Sequence, residues 1–307
     1  MSTIYFHHYE TSPFAEKVRR ILAYKGLPWS SVLQPPIMPK PDLVALTNGY
    51  RRIPVLQIGN DVICDTPLIC DVLEALQPSP SLYPAFSGGT ERVVAQWADS
   101  QVFAAAMAYN FSPAGAAGFF KGVSPDFAKT FAEDRKAMRS GGARMMPADA
   151  TPAYKEYLLR INNMLDRADF LCGPSPTVAD FSAYHPLWFT RRINEVANVL
   201  AIYPKILPWM DRVAALGTEH RQEATAQDAL AACRLAKSTV LDGPFVNEHG
   251  IALGSQVGIV AESFGTEVTT GVLVSATENR LVLEHSNDHA GTVRVHFPRV
   301  GFSLKAI

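Results

Sequence analysis

Apolar and polar positions in the first third of the chain alternate between the period of a strand and the period of a helix. Residues 3–9 have a strand-like pattern, and residues 53–58 are joined to residues 61–64 by a Gly-Asn turn that predicts a β-hairpin. A helix is predicted over residues 66–77. The helix after the first strand repeats its apolar side chains on one face, at Phe14, Val18, Ile21 and Leu22. This order predicts an α/β domain over residues 1–83.

The second part of the chain has a helical period, and the third has a strand period. Pro78-Ser79-Pro80-Ser81 predicts a linker, and residues 89–237 predict a mainly helical domain. Residues 243–307 instead contain short β-prone runs separated by glycine or asparagine. These runs are 256–261, 268–275, 281–285 and 292–297. Four or five strands in about sixty residues predict a small barrel-like β domain.

Glycine and proline interrupt the helical part at residues 111–118 and 140–143, which predicts loops that move or line a pocket. Core packing is the favoured interpretation of each nearby aromatic side chain taken singly, and lining of a pocket is the alternative. These side chains are Tyr109, Phe111, Phe119 and Phe120.

Charge and hydropathy narrow the classes of partner. The 307 residues carry 28 basic and 29 acidic side chains, and 48% of the residues are apolar. A net charge of −1 gives no field that would attract DNA, RNA or an anionic membrane, so nucleic acid and membrane are not expected as partners. Residues 196–203 form an apolar run too short for a bilayer span, and no leader pattern is found. We therefore expect a cytosolic protein.

Three short motifs within residues 1–83 point to a binding site. Ser12 opens the first helical pattern and is followed by proline, so it is a natural N-cap. Pro54 leads a strand to which it cannot donate a hydrogen bond, which suggests a special backbone geometry such as a cis bond. Asp65 and Thr66 open the next helix, whose free N–H groups attract a carboxylate while Asp65 can bind an ammonium group.

In order and spacing, these motifs resemble the glutathione-binding domain of the soluble glutathione S-transferases. The resemblance implies a thioredoxin-like domain, a helical bundle, and glutathione as a co-substrate. It also implies that the backbone beside a cis proline pairs with the peptide part of glutathione, while Asp65-Thr66 holds its γ-glutamyl end. Lys40 is implied to lie near the glycine carboxylate. The residues to which the resemblance assigns glutathione binding are Phe14, Lys40, Ile53, Pro54, Asp65 and Thr66.

Ser12 is the candidate catalytic residue. The run from Ser12 to Arg19 is most similar to the omega-like classes, whose members carry cysteine at this position. A serine cannot form a mixed disulfide with glutathione, so the resemblance implies activation of a thiolate rather than thiol-disulfide exchange. Two alternatives stay open. Ser12 can be a simple N-cap that accepts a hydrogen bond from its own helix, and Tyr5 or Tyr9 can be the hydroxyl donor.

A second motif in the helical part supports the same family. Thr177-x-x-Asp180 is a capping-box-like pair that resembles the start of an internal helix in glutathione S-transferases. This motif is evidence for the fold only, because it stabilises a helix end and does not touch substrate. With Tyr203-Pro204 and Trp209, the resemblance extends over residues 1–216 and implies a homodimer. Members of the family ordinarily end before the β-prone tail.

No metal site and no disulfide are predicted. The acidic and imidazole side chains of the tail are spread over a loop and a strand without a second ligand pair; they are His285, Asp288, His289 and His296. The cysteines show no C-x-x-C spacing and are expected to be reduced and mostly buried. They are Cys64, Cys70, Cys172 and Cys233. Cys64, beside Asp65, is a candidate redox-sensitive neighbour of the site.

Two functions are consistent with these observations. The first is an enzyme that joins the glutathione thiolate to a small apolar electrophile. The second is a weakly catalytic or non-catalytic scaffold of the same fold, in which the groove or the β tail binds a partner. The electrophile itself is not identified by the sequence.

Overall fold

The computed structural model describes residues 3–139, 145–237 and 243–307. Its first part has the order of strands and helices that the strand and helix periods of the sequence predict. The elements are β1 (Ile4–His8), α1 (Pro13–Tyr24), β2 (Trp29–Leu33), α2 (Pro41–Thr47), β3 (Val55–Ile58), β4 (Asp61–Cys64) and α3 (Thr66–Leu76). Local signals explain these bounds: Pro13 stands in the first turn of α1, and Gly26 follows its end with a φ of 62°. The predicted α/β fold is confirmed.

Helices make up the second part of the chain. They are α4 (Thr90–Trp97), α5 (Phe103–Asn110), α6 (Pro113–Phe119), α7 (Pro125–Met138), α8 (Pro147–Met164), α9 (Val178–Arg191) and α10 (Ile206–Ala214). A π-helical turn, Ala98–Val102, joins α4 to α5. The prediction of a loop over residues 111–118 is wrong for most of its length, because Pro113 starts a helix in its favoured first position. The loop predicted at residues 140–143 lies outside the described residues.

The capping motif of α9 is confirmed, and it ties several segments of the helical part together. The Asp180 carboxylate accepts hydrogen bonds from the Thr177 N–H at 2.9 Å and from the Leu171 N–H at 2.9 Å. It also accepts one from the Trp209 indole at 3.0 Å. Asp180 is fully buried, so these bonds replace the water that the carboxylate loses on folding.

The tail forms strands where alternation predicted them. After β5 (Arg221–Ala224) and α11 (Ala226–Leu235), the strands are β6 (Gln256–Ala261), β7 (Thr269–Ala276), β8 (Arg280–Asn287), β9 (Gly291–Pro298) and β10 (Phe302–Ala306). Neighbouring strands of β6 to β9 pair antiparallel, and β10 returns to pair with β6. The predicted β domain is therefore present as an antiparallel sheet.

This tail sheet is continuous with the sheet of the first domain. The strand order is β10-β6-β7-β8-β9-β4-β3-β1-β2-β5, and β9 pairs parallel with β4, with Val62 opposite Val295. The tail strands thus extend a neighbouring sheet instead of closing into a barrel of their own. The physical reason is that β4 would otherwise present a row of unpaired backbone groups at a sheet edge.

Two hydrophobic cores lie on opposite faces of the sheet. One joins α1 and α3 to the helical part, with Phe6, Ile69 and Trp209 among its buried side chains. The other joins α2 to the tail strands, with Leu43 and Phe297 among its members. No helix in the described parts of the chain has both the length and the hydropathy that a bilayer crossing requires.

Candidate functional site

The strand register brings the three sequence motifs to one edge of the sheet. β3 is antiparallel to both of its neighbours, and Val55 pairs with β1 on one side and with Cys64, the last residue of β4, on the other. Ser12 follows the end of β1, Pro54 directly precedes Val55, and Asp65 directly follows Cys64. Ends of adjacent antiparallel strands meet at the same edge.

Ile53 lies two positions before the sheet ladder begins. The Ile53-Pro54 peptide bond is cis, and the regular pairing of β3 starts one residue later, at Val55. Ile53 is half-buried, whereas Pro54 is buried. The backbone of Ile53 is thus at the strand end that faces the first turns of α1 and α3.

Ser12 caps α1. Its backbone is extended, its Oγ accepts a hydrogen bond from the Ala15 N–H at 3.2 Å, and the residue is 2% exposed. The N-cap interaction expected for Ser12 is therefore present in the structure. A hydroxyl that accepts through its oxygen keeps its own proton to donate, so the cap does not exclude a second partner. The first turn of α1 adds positive potential beside this hydroxyl.

Asp65 and Thr66 begin α3 in a geometry that leaves the helix end directed to the site. Asp65 has a φ of 71°, and its Oδ1 accepts a hydrogen bond from the Thr66 N–H at 2.8 Å. Its Oδ2 lies 3.6 Å from Nη1 of Arg52. Burial raises the pKa of the Asp65 carboxyl above its usual range, while Arg52 acts against that rise. An ammonium group beside Asp65 would stabilise the charged carboxylate.

Beneath Thr66 lies a buried ionic network that sequence reasoning missed. Lys17 Nζ donates to Thr66 Oγ1 at 3.3 Å and to Asp99 Oδ2 at 2.6 Å, and His185 Nε2 contacts Asp99 Oδ1 at 3.0 Å. Burial alone would lower the pKa of Lys17, but Asp99 raises it, and Lys17 in turn lowers the pKa of Asp99 against the effect of burial. The pair is therefore charged, and it connects α1 and α3 to the helical part.

Two further observations concern the Asp99 and His185 side chains of this network. Asp99 lies in the π-helical turn, a feature that occurs frequently at functional sites. His185 must donate through Nε2 because a carboxylate only accepts, which leaves its Nδ1 as a buried acceptor with no partner in the described structure. Burial lowers the pKa of His185 against the opposing effect of Asp99, and the lowered pKa favours the neutral ring. Its ring centroid lies 4.5 Å from that of Phe14, at a tilt of 39° between the rings, and the Phe14 centroid lies 4.6 Å from that of Phe103.

Lys40, the N-cap of α2, lies in a cluster of charged groups at the other end of the site. The residue is 5% exposed, and its ammonium donates to the Arg51 carbonyl at 3.2 Å. Burial, and to a smaller degree the nearby guanidinium of Arg135, lower the pKa of Lys40 to about 8. An anion bound at this ammonium would oppose both effects.

Helix α7 covers this end of the site. Arg135 Nη2 donates to the Pro36 carbonyl at 2.8 Å and contacts the Tyr9 hydroxyl at 3.5 Å, and its guanidinium lies 4.4 Å from the Phe131 ring. Tyr9 thus lies at the site, on the side of α7. Tyr5 is the second residue of β1 and alternates with Phe6 of the α1 face, so its side chain is on the opposite face of the sheet.

An aromatic cluster forms the wall of the helical part near α7. Its rings contact one another at centroid distances from 4.9 Å, for Phe119 and Phe120, to 6.4 Å, for Phe111 and Phe120. Phe131 of α7 and Phe189 of α9 complete the cluster. Tyr109 is separate, since its hydroxyl donates to the Val196 carbonyl at 3.3 Å and its ring packs on Tyr154.

The remaining candidate groups have structural contacts. In the part of the chain that the structure describes, no three His, Cys, Asp or Glu side chains are arranged to hold a metal ion. His285 contacts the Leu46 carbonyl at 3.3 Å, and His296 contacts Asp61 at 2.8 Å. All four cysteines are free thiols, and burial raises the pKa of Cys64 well above its usual value. Cys64 therefore does not have the properties of a reactive thiol.

The fold is a thioredoxin-like domain joined to a helical bundle, with the candidate site at one edge of the sheet. Comparisons with known proteins assign the family. Residues 6–81 match the N-terminal domain of glutathione S-transferases, and residues 147–212 match their C-terminal domain. A solved GST-like protein from Pseudomonas syringae is 34% identical over 100% of both chains, with a TM-score of 0.78. The chain therefore belongs to the glutathione S-transferase family. No curated protein sequence matches it.

More distant structures share the fold. A glutathione S-transferase from Rhodospirillum rubrum F11 is 24% identical and matches 69% of this chain and 88% of its own, with a TM-score of 0.50. Glutathione S-transferase-I bound with lactoylglutathione is 16% identical over 70% of this chain and 100% of its own, with a TM-score of 0.52. About a third of this chain thus has no counterpart in them, whereas the match to the Pseudomonas syringae protein includes the tail.

Proposed function

We propose that this protein is a glutathione transferase in which the thiolate of glutathione attacks a small apolar electrophile. The observation that carries the proposal is the convergence of Ser12, Ile53-Pro54 and Asp65-Thr66 at one sheet edge, between the first turns of α1 and α3. Two helix N-termini at one edge favour an anionic, peptide-like ligand.

Glutathione has charged groups that match the two ends of this edge. Asp65 would bind the γ-glutamyl ammonium while the Thr66 hydroxyl and the positive end of α3 bind the adjacent carboxylate. The backbone of Ile53 would pair with the cysteinyl part of the peptide. Lys40 would bind the glycine carboxylate, and Phe14 would pack against the ligand from the start of α1.

The thiol would then lie at Ser12. A free thiol has a pKa near 8.5, so only a few per cent is thiolate at pH 7. A hydrogen bond from the Ser12 hydroxyl and the positive end of α1 both favour the thiolate. This assignment makes the protein a serine-type relative of the omega-like classes. The thiolate attacks the electrophilic carbon, the new bond is a thioether, and the leaving group departs with its electron pair.

The electrophile would bind against the aromatic wall of the helical part. Phe111, Phe119 and Phe120 are half-buried, so their rings retain apolar surface that a ligand can cover. A planar or aliphatic apolar group gains about 25 cal/mol for each Å² that it buries there. The wall continues along α7 to Phe131 and thereby reaches Arg135, beside Tyr9.

Retention on immobilised glutathione and turnover of a chloronitroarene test this function together. We expect specific elution with free glutathione and a glutathione-dependent increase in conjugate absorbance. Retention without turnover of this or other apolar electrophiles would refute the enzymatic proposal and favour a scaffold. Absence of retention would refute glutathione binding itself. We further propose a cytoplasmic location and a homodimer, and light scattering of the purified chain tests the homodimer directly.

A further inference from the structure

Two consecutive arginines precede the cis-proline segment, and they are directed to opposite ends of the proposed glutathione site. The carbonyl of Arg51 accepts the hydrogen bond of Lys40 at 3.2 Å, at the glycine end. The guanidinium of Arg52 lies 3.6 Å from the Asp65 carboxylate, at the γ-glutamyl end. Any group that fixes the Arg51 segment and the Arg52 side chain therefore fixes both ends of the site.

The C-terminal sheet contacts Arg51 through the loop between β6 and β7. Nε of Arg51 lies 2.9 Å from Oε1 of Glu267, and its Nη2 lies 3.1 Å from Oδ1 of Asp134 in α7. The Arg51 side chain is 11% exposed, whereas that of Glu267 is 41% exposed. The tail carboxylate and the α7 carboxylate thus hold the guanidinium from two directions.

The same sheet contacts Arg52 through β10. The guanidinium lies 5.5 Å from the centroid of the Phe302 ring and 5.9 Å from that of Tyr50. Nε and Nη2 of Arg52 are buried without hydrogen-bond partners in the described structure, so ring faces provide their surroundings. Gly265 of the tail loop is close as well, since a Cβ built on it would lie 3.3 Å from Cγ of Arg52.

The backbone just before the two arginines is also attached to the tail. Asn48 ends α2 in a left-handed conformation, and its Nδ2 donates to the Thr270 carbonyl at 2.8 Å. Gly49 has a φ of 131°, and a Cβ there would lie 2.5 Å from the Val268 carbonyl oxygen. Only glycine permits this approach between the two chain segments.

From these contacts we propose that the C-terminal sheet is part of the glutathione site, with Glu267 and Phe302 as positioning residues that act through Arg51 and Arg52. Glu267 fixes the segment that aligns the Lys40 ammonium for the glycine carboxylate. Phe302 fixes the guanidinium that orients Asp65 for the γ-glutamyl ammonium. The inference rests on the proposed function, because it names how that same site recognises the two ends of glutathione.

Calorimetric titration of the full chain with three ligands separates the two ends. The ligands are glutathione, its glycine ethyl ester, and an analogue that lacks the γ-glutamyl amino group. The ester removes the charge that Lys40 would bind, and the deamino analogue removes the charge that Asp65 would bind. The ratio of dissociation constants therefore reports each end without need of an electrophile.

Glu267→Gln should reduce the preference for glutathione over the ester about three- to fivefold, the effect of losing one partly exposed ion pair, and leave the preference over the deamino analogue unchanged. Phe302→Leu should show the opposite pattern at a similar magnitude, from loss of a ring face. Exposed Glu262 and half-exposed Phe245 provide matched controls in the tail, as Glu262→Gln and Phe245→Leu, and should leave both ratios unchanged.

Parallel weakening of all three ligands, or unchanged ratios in both variants, would overturn the inference, because a tail that only stabilises the fold predicts no selectivity at either end. The wild-type chain distinguishes this failure from failure of the proposed function. If wild type binds no glutathione, or binds all three ligands equally, the glutathione site is refuted and the inference with it. Wild-type selectivity with unchanged variants refutes the inference alone.

Discussion

Replacing Ser12 separates its two structural roles, because the capping bond and the thiol contact respond to different substitutions. Ser12→Ala removes the buried acceptor of the Ala15 N–H and should lower the free energy of unfolding by about 1 kcal/mol. Ser12→Gly should cost only a few tenths of a kcal/mol, since glycine is a tolerated N-cap. Both variants lack the hydroxyl. Loss of thiol activation should therefore be the same in both, while loss of stability should differ.

The expected size of the chemical effect follows from hydrogen-bond energies. A hydrogen bond to a charged group contributes about 1.5–3 kcal/mol, which corresponds to a shift of about one to two pKa units. If bound glutathione returns from a pKa of about 7 to about 8.5, its thiolate fraction at pH 7 falls from about one half to about 3%. Conjugation at pH 7 should then slow by about tenfold or more, and the difference should nearly disappear above pH 9.

The assay is the ultraviolet absorbance of the thiolate, followed against pH for glutathione bound to wild type, Ser12→Ala and Ser12→Gly. Urea unfolding of the same samples measures the capping contribution. Superimposable titration curves would refute the assignment of Ser12 as a catalytic residue and leave Tyr9, which contacts Arg135 at 3.5 Å, as the candidate donor. Ser12→Cys should in addition form a mixed disulfide with glutathione, detected as an increase in mass.

Three further substitutions test the rest of the site. Lys17→Met should lower the free energy of unfolding by about 3–5 kcal/mol in urea titrations, because Asp99 stays buried without its cation. The double variant Lys17→Met with Asp99→Asn should lose less stability than the sum of the two single variants. Asp65→Ala should weaken glutathione binding by about 1–3 kcal/mol in calorimetry, and an unchanged dissociation constant would contradict its assignment. Lys40 binds a carboxylate only when protonated, so with its pKa at about 8 the affinity for S-methylglutathione should be full below that pH and fall above it. Lys40→Met should abolish this pH dependence, and a dependence that persists in the variant would exclude Lys40 as its source.

Much of the fold could be predicted because its signals are local. Pro13 and Gly26 bracket α1, and the Gly59-Asn60 turn predicts the β3–β4 hairpin from two residues. In β9, Val293, Val295 and Phe297 alternate with polar side chains, and the three are buried as the alternation predicts. The site edge was also predictable in outline, because Asp65 directly follows β4 and Ser12 lies four residues after the end of β1.

The ionic network could not be predicted in the same way. Lysine in an amphipathic helix is almost always exposed, so the pattern of α1 favours solvent for Lys17. Its partner Asp99 is 82 positions away and lies in a π-helical turn, which has no established sequence signal. The prediction of a loop over residues 111–118 was wrong for another reason. Proline stops a helix from continuing, but it also favours the start of a new one.

The position of the tail depends on contacts between residues that are distant in sequence. Because of these contacts, the tail is an extension of the first domain and not a separate module. β4 pairs with β9 across more than two hundred residues, and Val62 of β4 shares a core with Leu43 of α2 and Phe297 of β9. A module that folded alone would bury its own apolar face and leave β4 as an edge. Here a single hydrophobic core contains residues from the site domain and from the tail, so movement of one strains the other. A rigid junction of this kind is the condition under which Glu267, a tail residue, can hold a side chain of the site in place.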